Sequence, residues 1–328
     1  MEQNSAPAPL PSAPVALQFT GRAGEYFKIW IVNICLSVIT LGIYSAWAKV
    51  RRKRYFYGST LLQGSAFEYL GKPVAILKGR ILVVIAFAAY GFAKEFNLLL
   101  AGAIFAALAL MLPWIVQRAL QFNARNSMHR SLRFGFRGTK LDILGVLLVG
   151  GILVPITLGL AYPFYLAMKR RTFVDNSSYG DRRFSFSATT GDYYRAALKV
   201  SLVFIGFLVG SIVTVGLGAL PLYLLLRAYA ETAYARLSWR NTRLADISFD
   251  CRWKTGELFV LYFVNSLGVL LTLGLLVPWA AIRSARYKLE RITLQSEQGL
   301  GGFFAVTQEE VAAVGDEAGE LLGFDFGL

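Results

Sequence analysis

The sequence predicts an all-α integral membrane protein, built from about five repeated helix–turn–helix or kinked-span units joined by short, basic, β-hairpin-like connectors. Composition is the first reason. Of 328 residues, 55% are hydrophobic and only 16% charged, against roughly 25% charged in soluble domains. Length is the second. Several apolar runs approach the roughly 20 residues that cross a bilayer. The third is a repeat. Glu25 to Gly42, Asp142 to Gly159 and Glu257 to Gly274 share one spacing, seventeen residues, and each glycine closes a Thr-Leu-Gly triplet. Repetition at fixed spacing decides architecture before finer features do.

Taken in order, residues 1–16 are rich in Pro, Ala and Ser and lack the basic start and apolar core of a signal peptide, so they read as a disordered tail. A repeat-built membrane region follows from 17 to 306, with units at about 17–57, 58–122, 123–173, 174–237 and 238–290 and a degenerate copy at 291–306. The first unit runs from Gly24-Glu25 through an apolar stretch to Ala48, then into Lys49, Arg51, Arg52, Lys53 and Arg54. The second holds two apolar runs, Ile81 to Phe92 and Leu98 to Val116, around a polar link at 93–97. The fourth carries Gly216-Leu217-Gly218 and Pro221 in place of the tighter break. Residues 307–328 hold six carboxylates and no Lys or Arg, an acidic mobile tail.

The connectors repeat as well. Ser59-Thr60 precedes Phe67-x-Tyr69-x-Gly71, Asn126-Ser127 precedes Phe134-x-Phe136-x-Gly138, Asn176-Ser177 precedes Phe184-x-Phe186-x-Ala188, and Asn241-Thr242 precedes Ile247-x-Phe249-x-Cys251. Alternating apolar residues behind a turn signal predict short hairpins or strand pairs. An acid opens the next helix six residues past the second aromatic at Glu25, Asp142 and Asp192, and eight past it at Glu257. Acids there suit the positive end of the helix dipole.

Each unit either crosses once as a kinked span or turns back. Twenty-two residues from Glu25 to Trp47 give about 33 Å of helix, enough for one crossing. Glycine at a helix end followed by proline is the punctuation of helix–turn–helix, which makes Gly42, Gly159 and Gly274 the turn residues. Every connector is basic, and only hairpins place all of them on the cytoplasmic side. Hairpins are favoured, although arms of some 15 residues reach only about 23 Å.

The stretch Gly42-Ile43-Tyr44-x-x-Trp47-Ala48-Lys49-x-Arg51-x-x-Arg54-Tyr55, with Tyr57-Gly58-Ser59-Thr60-Leu61 and Phe67-Glu68-Tyr69-x-Gly71 behind it, resembles the YjgN-like family of bacterial inner-membrane proteins, a domain of unknown function. The resemblance covers 17 to about 306 and is strongest over 19–80. It implies a multi-pass location in the bacterial inner membrane. It implies no activity and supplies no catalytic or ligand residues.

No catalytic, cofactor-binding or metal-binding set is visible. There is no GxSxG, HExxH or phosphate-binding loop. His129, the one histidine, lacks partners at ligand spacing and reads as a solvent or interface residue. Cys251 falls where Gly21, Gly71 and Gly138 stand and reads as a small-residue position. The net charge of +14 would point to nucleic acid in a soluble chain; here the cations sit between apolar runs and mark headgroups instead. Lys199 reads as snorkelling to the headgroups, and Arg227 with Glu231 as a helix-surface ion pair. Trp47/Arg51, Trp114/Arg118 and Trp279/Arg283, together with Arg227 four residues past Tyr223, form candidate contacts for anionic lipid phosphates. A non-enzymatic protein that binds or organises anionic lipid is the first functional reading. A transporter or channel with a path between the repeats is the alternative.

Overall fold

The connectors overturn the all-α expectation. The computed structural model describes residues 14–296, and in it every connector is a true antiparallel hairpin. These are β3 (Thr60–Leu62) with β4 (Ser65–Tyr69), β5 (Ser127–His129) with β6 (Leu132–Phe136), β7 (Ser177–Tyr179) with β8 (Arg182–Phe186), and β9 (Thr242–Leu244) with β10 (Ile247–Cys251). A lone hairpin is marginal and leaves two edges of unpaired backbone groups. Here each edge is met by the next repeat: β4 pairs β5, β6 pairs β7 and β8 pairs β9. The chain ends complete the ring. β11 (Ile292–Gln295) pairs β10 on one side and β1 (Val15–Ala16) on the other, while β2 (Gln18–Phe19) pairs β3. Between β1 and β2, the Leu17 N–H donates to Ile292 O at 3.2 Å. The eleven strands thus make one antiparallel, nearly closed barrel. Residues 15 and 16, which composition assigns to the tail, are part of it. The rest of both tails, and the degenerate copy beyond 296, lie outside the described residues.

Below the barrel, five antiparallel helix pairs hang from the hairpins. They are α1 (Ala23–Ile39) with α2 (Ser45–Gly58), α3 (Pro73–Phe96) with α4 (Leu98–Arg125), and α5 (Lys140–Leu148) with α7 (Tyr162–Asp175). The last two are α8 (Thr190–Val213) with α9 (Ala219–Arg240), and α10 (Thr255–Leu271) with α11 (Val277–Glu290). After α5 the helix runs on through a π-helical segment, Val149–Leu153, and the short α6 (Val154–Ile156). Successive helices pack against one another and α11 packs on α1, so the helices also close into a ring.

The Thr-Leu-Gly triplet is a turn, and each residue in it has a job. Gly42, Gly159 and Gly274 take φ of +90°, +88° and +95°, and Leu41, Leu158 and Leu273 precede them at about +50°. Val215 and Gly216 do the same in the fourth unit. The threonine hydroxyl donates to the carbonyl four residues back and accepts the N–H four residues on. Tyr44, Ala161, Gly218 and Leu276 are those donors, at 2.9 to 3.1 Å. One side chain therefore serves an orphan carbonyl of the first helix and an orphan N–H of the second. In the second unit Asn97 substitutes for the triplet, its Oδ1 accepting from Leu99 and Leu100 N–H. Gly274→Ala is expected to cost about 1–2 kcal/mol by backbone strain alone, since an added Cβ there meets nothing within 4 Å. Denaturation of the purified protein in detergent checks it.

α3, α4 and α8 are long and apolar enough to cross a membrane. α1 and α10, at 17 residues, reach only about 25 Å, short of a hydrocarbon core of about 30 Å. The short tips are nonetheless apolar: Leu41, Leu158 and Leu273 are 94%, 93% and 95% exposed, which suits ends that lie in lipid rather than water.

Among the described residues, side chains pack together inside the barrel. Leu62, Leu132, Tyr179, Leu244, Ile247 and Leu294 fill it, flanked by Leu17, Phe67, Phe134, Phe184 and Phe249. His129 lies in the same layer, 1% exposed, with Nδ1 3.2 Å from the Tyr179 hydroxyl, which donates to His129 O at 3.0 Å. The expectation of a solvent or interface histidine is thus corrected: the strand turns it into the barrel. Burial first, and the Arg130 charge second, lower its pKa to about 4.

The ladder also corrects the place of Cys251. It pairs with Ile292 as Phe186 pairs with Thr242, Phe136 with Ser177 and Tyr69 with Ser127. Cys251 therefore stands at the second-aromatic position, and Trp253 at the glycine position. The small-residue expectation rests on aligning Phe249 with Tyr69, Phe136 and Phe186, which is two residues out of register. With the register corrected, Glu257 lies six residues past Cys251, the spacing of the other copies. In three copies the aromatic ring covers the glycine two residues on. A Cβ on Gly21, Gly71 or Gly138 would come within 2.7, 2.5 or 2.6 Å of it. In the fourth connector the pair is inverted, with a small residue first and a large one second.

Candidate functional site

Helix registers count from the hairpins, so residues at one distance from a hairpin lie at one depth. Arg51, Arg118 and Arg283 each precede the residue opening their hairpin (Ser59, Asn126, Arg291) by eight positions, and Trp47, Trp114 and Trp279 precede it by twelve. The three pairs form a collar on α2, α4 and α11. Arg118 lies over the Trp114 ring at 5.9 Å and Arg283 over Trp279 at 5.1 Å. Arg51 instead donates to the Tyr44 hydroxyl at 3.0 Å, and Tyr44 stacks on Trp47 at 6.1 Å. Among the described residues none of the three arginines pairs with a carboxylate; Arg283 reaches only the Asn265 amide oxygen, at 3.5 Å.

Arg227 does not join the collar. It lies fourteen residues before Asn241, nearer the tips, and its guanidinium sits 4.8 Å over the ring of Tyr262, not Tyr223. Nor does it pair with Glu231. That carboxylate accepts from Lys288 Nζ and the Tyr262 hydroxyl, tying α9 to α10 and α11.

Three further arginines help to build the ring. The Arg171 guanidinium donates to Ala188 O at 3.0 Å, Arg286 to Gly21 O at 2.8 Å and Arg236 to Trp253 O, with the Gln117 amide on Gly138 O at 2.7 Å. Each bond ties the second helix of one pair to the carbonyl just ahead of the first helix of the next. Cys251 is fully buried, and burial pushes its thiol pKa up, which suits packing and opposes nucleophilic use.

Two crevices open between helix arms at matching repeat positions. That between α10 and α11, about 530 Å³, is lined by Glu257, Arg283, Arg286, Glu290 and Arg291 among others. Its charges are largely internal pairs: Glu257 with Arg291 at 2.8 Å and Lys254 at 3.2 Å, Glu290 with Arg286 at 4.0 Å. The other, about 390 Å³ between α8 and α9, is lined by Asp192, Arg195, Lys199, Thr232 and Arg236. The sequence reading treated Lys199 singly and missed Arg195, Thr232 and Arg236. The signal was present: 195 and 199 share a helix face, as do 229, 232, 233 and 236.

Comparison with known proteins agrees with the membrane reading. The family model described as "Bacterial protein of unknown function (DUF898)" matches residues 14–220 and again 211–321. Among curated proteins, the chain is 33% identical over 122 residues to "Inner membrane protein YjgN" of Salmonella typhimurium, covering 37% of this chain and 31% of that one. It is 28% identical over 145 residues to the protein of that name from Escherichia coli K12, covering 44% and 36%. The chain thus covers about a third of the length of these relatives. No solved structure matches.

Proposed function

This chain belongs to the bacterial DUF898 family of inner-membrane proteins, and from that premise we propose that it is a non-enzymatic protein that holds anionic lipid around its rim. One observation carries the reading. Three Trp–Arg pairs stand at one depth around a closed helix ring, their guanidiniums without carboxylate partners among the described residues. Tryptophan settles at headgroup depth, and a guanidinium there offers a planar fork to a phosphate, which an ammonium cannot. The filled barrel weighs against a transport path along the ring axis.

The test is Arg51→Lys/Arg118→Lys/Arg283→Lys, purified from membranes and examined by native mass spectrometry. Charge and topology are kept while the fork is lost. Bound anionic lipid is expected to fall about tenfold, the equivalent of ~1.4 kcal/mol, with Arg227→Lys unchanged as the off-register control. Equal lipid on the triple variant and the parent would reduce the collar to a topology signal.

A further inference from the structure

We propose that the crevice between α8 and α9 is a binding site for a phosphate group, distinct from the Trp–Arg collar. On α8, Asp192, Arg195, Ala196 and Lys199 line one wall; on α9, Tyr229, Thr232, Ala233 and Arg236 line the other, and Thr255 closes the end. Two of the lining residues, one on each helix, are alanines. Three cations face one carboxylate, and that carboxylate is already engaged. Asp192 caps its helix through Thr189 N–H at 2.8 Å and Oγ1 at 2.7 Å, leaving Arg195 a loose contact at 3.5 Å. Lys199 has no carboxylate partner among the described residues.

The second observation is independent of charge. Thr232 is 3% exposed and lines this cavity, yet among the described residues its Oγ1 makes no hydrogen bond, and the buried Arg236 Nε is likewise unmatched. Buried polar atoms are seldom left unsatisfied. Both residues line the positively charged cavity, and an oxyanion seated there would supply the acceptor that both donors lack. The α10–α11 crevice is the internal contrast. Val260 and Val264 hold the places of Arg195 and Lys199 there, and both of its carboxylates are ion-paired, Glu257 with Arg291 and Lys254 and Glu290 with Arg286. The fourth unit carries Arg195 and Lys199 where the fifth carries two valines. A phosphate monoester or diester fits the donors and a volume of about 390 Å³, whether carried by a lipid headgroup or free in solution.

The experiment uses the full chain in a neutral detergent, with thermal unfolding followed against added inorganic phosphate and, separately, against phosphatidylglycerol in mixed micelles, the lipid arm being run on the Arg51→Lys/Arg118→Lys/Arg283→Lys background so that lipid held at the collar does not register. Arg195→Val/Lys199→Val copies the α10–α11 crevice and so should fold; Thr232→Val removes the hydroxyl at constant shape. A saturable rise in Tm with either probe, lost in the double variant and about fivefold weaker in Thr232→Val, is the expected result. Response to inorganic phosphate identifies a soluble ligand, and response to phosphatidylglycerol alone identifies a lipid. No rise with either probe, or an equal rise in the double variant, overturns the site. The collar variants above are expected to retain the response, so the two proposals fail separately.

Discussion

Gly138→Trp alone is expected to destabilise the protein by about 3 kcal/mol, and adding Phe136→Cys to the same chain is expected to recover most of that loss. The first cost is steric. A Cβ at Gly138 would lie 2.6 Å from the Phe136 ring and 3.4 Å from the Asn176 side chain, and the ring is held against Phe173 at 6.0 Å. Overpacking of that kind costs about 1–3 kcal/mol, and an indole forces more movement than a methyl. Phe136→Cys alone should cost about 3 kcal/mol for the opposite reason, a cavity under the barrel. The fourth connector already holds the combined solution. Cys251 and Trp253 are buried at the matching positions, and the indole N–H donates to Lys288 O at 2.9 Å. By repeat register the corresponding carbonyl is that of Phe173. A double-mutant cycle in detergent, followed by thermal unfolding, decides it: the double variant should be more stable than either single one. Additive losses would mean that the aromatic and the glycine do not share one space.

The same pair explains why part of the fold was legible in the sequence and part was not. The turns could be read because Thr, Leu and Gly act on backbone within one stretch of chain, and the spacing from acid to glycine is a helix length. The hairpins could be read individually for the same reason. Their union into a barrel could not, because every second ladder joins strands of different repeats, and the last joins β1 to β11 through strands only two to four residues long. Strands that short carry no alternation to detect. The inverted Cys251/Trp253 pair then hid the register of the fourth connector. At the candidate site, Trp–Arg spacing along one helix was visible, but depth was not. Its distance from Tyr223 groups Arg227 with the collar, whereas depth is counted from the hairpin. The α8–α9 crevice needs two faces from different helices, and only the packing says that Thr232 confronts Arg195 and Lys199.

His129→Leu is expected to remove a pH dependence of folding worth about 3 kcal/mol. In the folded barrel, burial among aromatic rings, including Phe67 at 4.5 Å, and the neighbouring Arg130 charge hold the imidazole neutral down to about pH 4. In the unfolded chain it titrates near 6.5. Between those values the unfolded state binds a proton that the folded state refuses, so the contribution is intact above about pH 7, falls through the interval and levels off below about pH 4. A separation of that size corresponds to ~3 kcal/mol. Leucine is already present at the matching barrel position in Leu62, Leu244 and Leu294, so the fold has a place for it, and Tyr179 keeps the His129 backbone carbonyl as its acceptor. Carboxylates titrate at the lower end of the range in both proteins, so the quantity to follow is the stability difference between variant and parent at each pH. That difference should move in favour of the variant as pH falls from 7 to 4. A difference constant across the range would show that the imidazole is charged, or reached by water, inside the barrel.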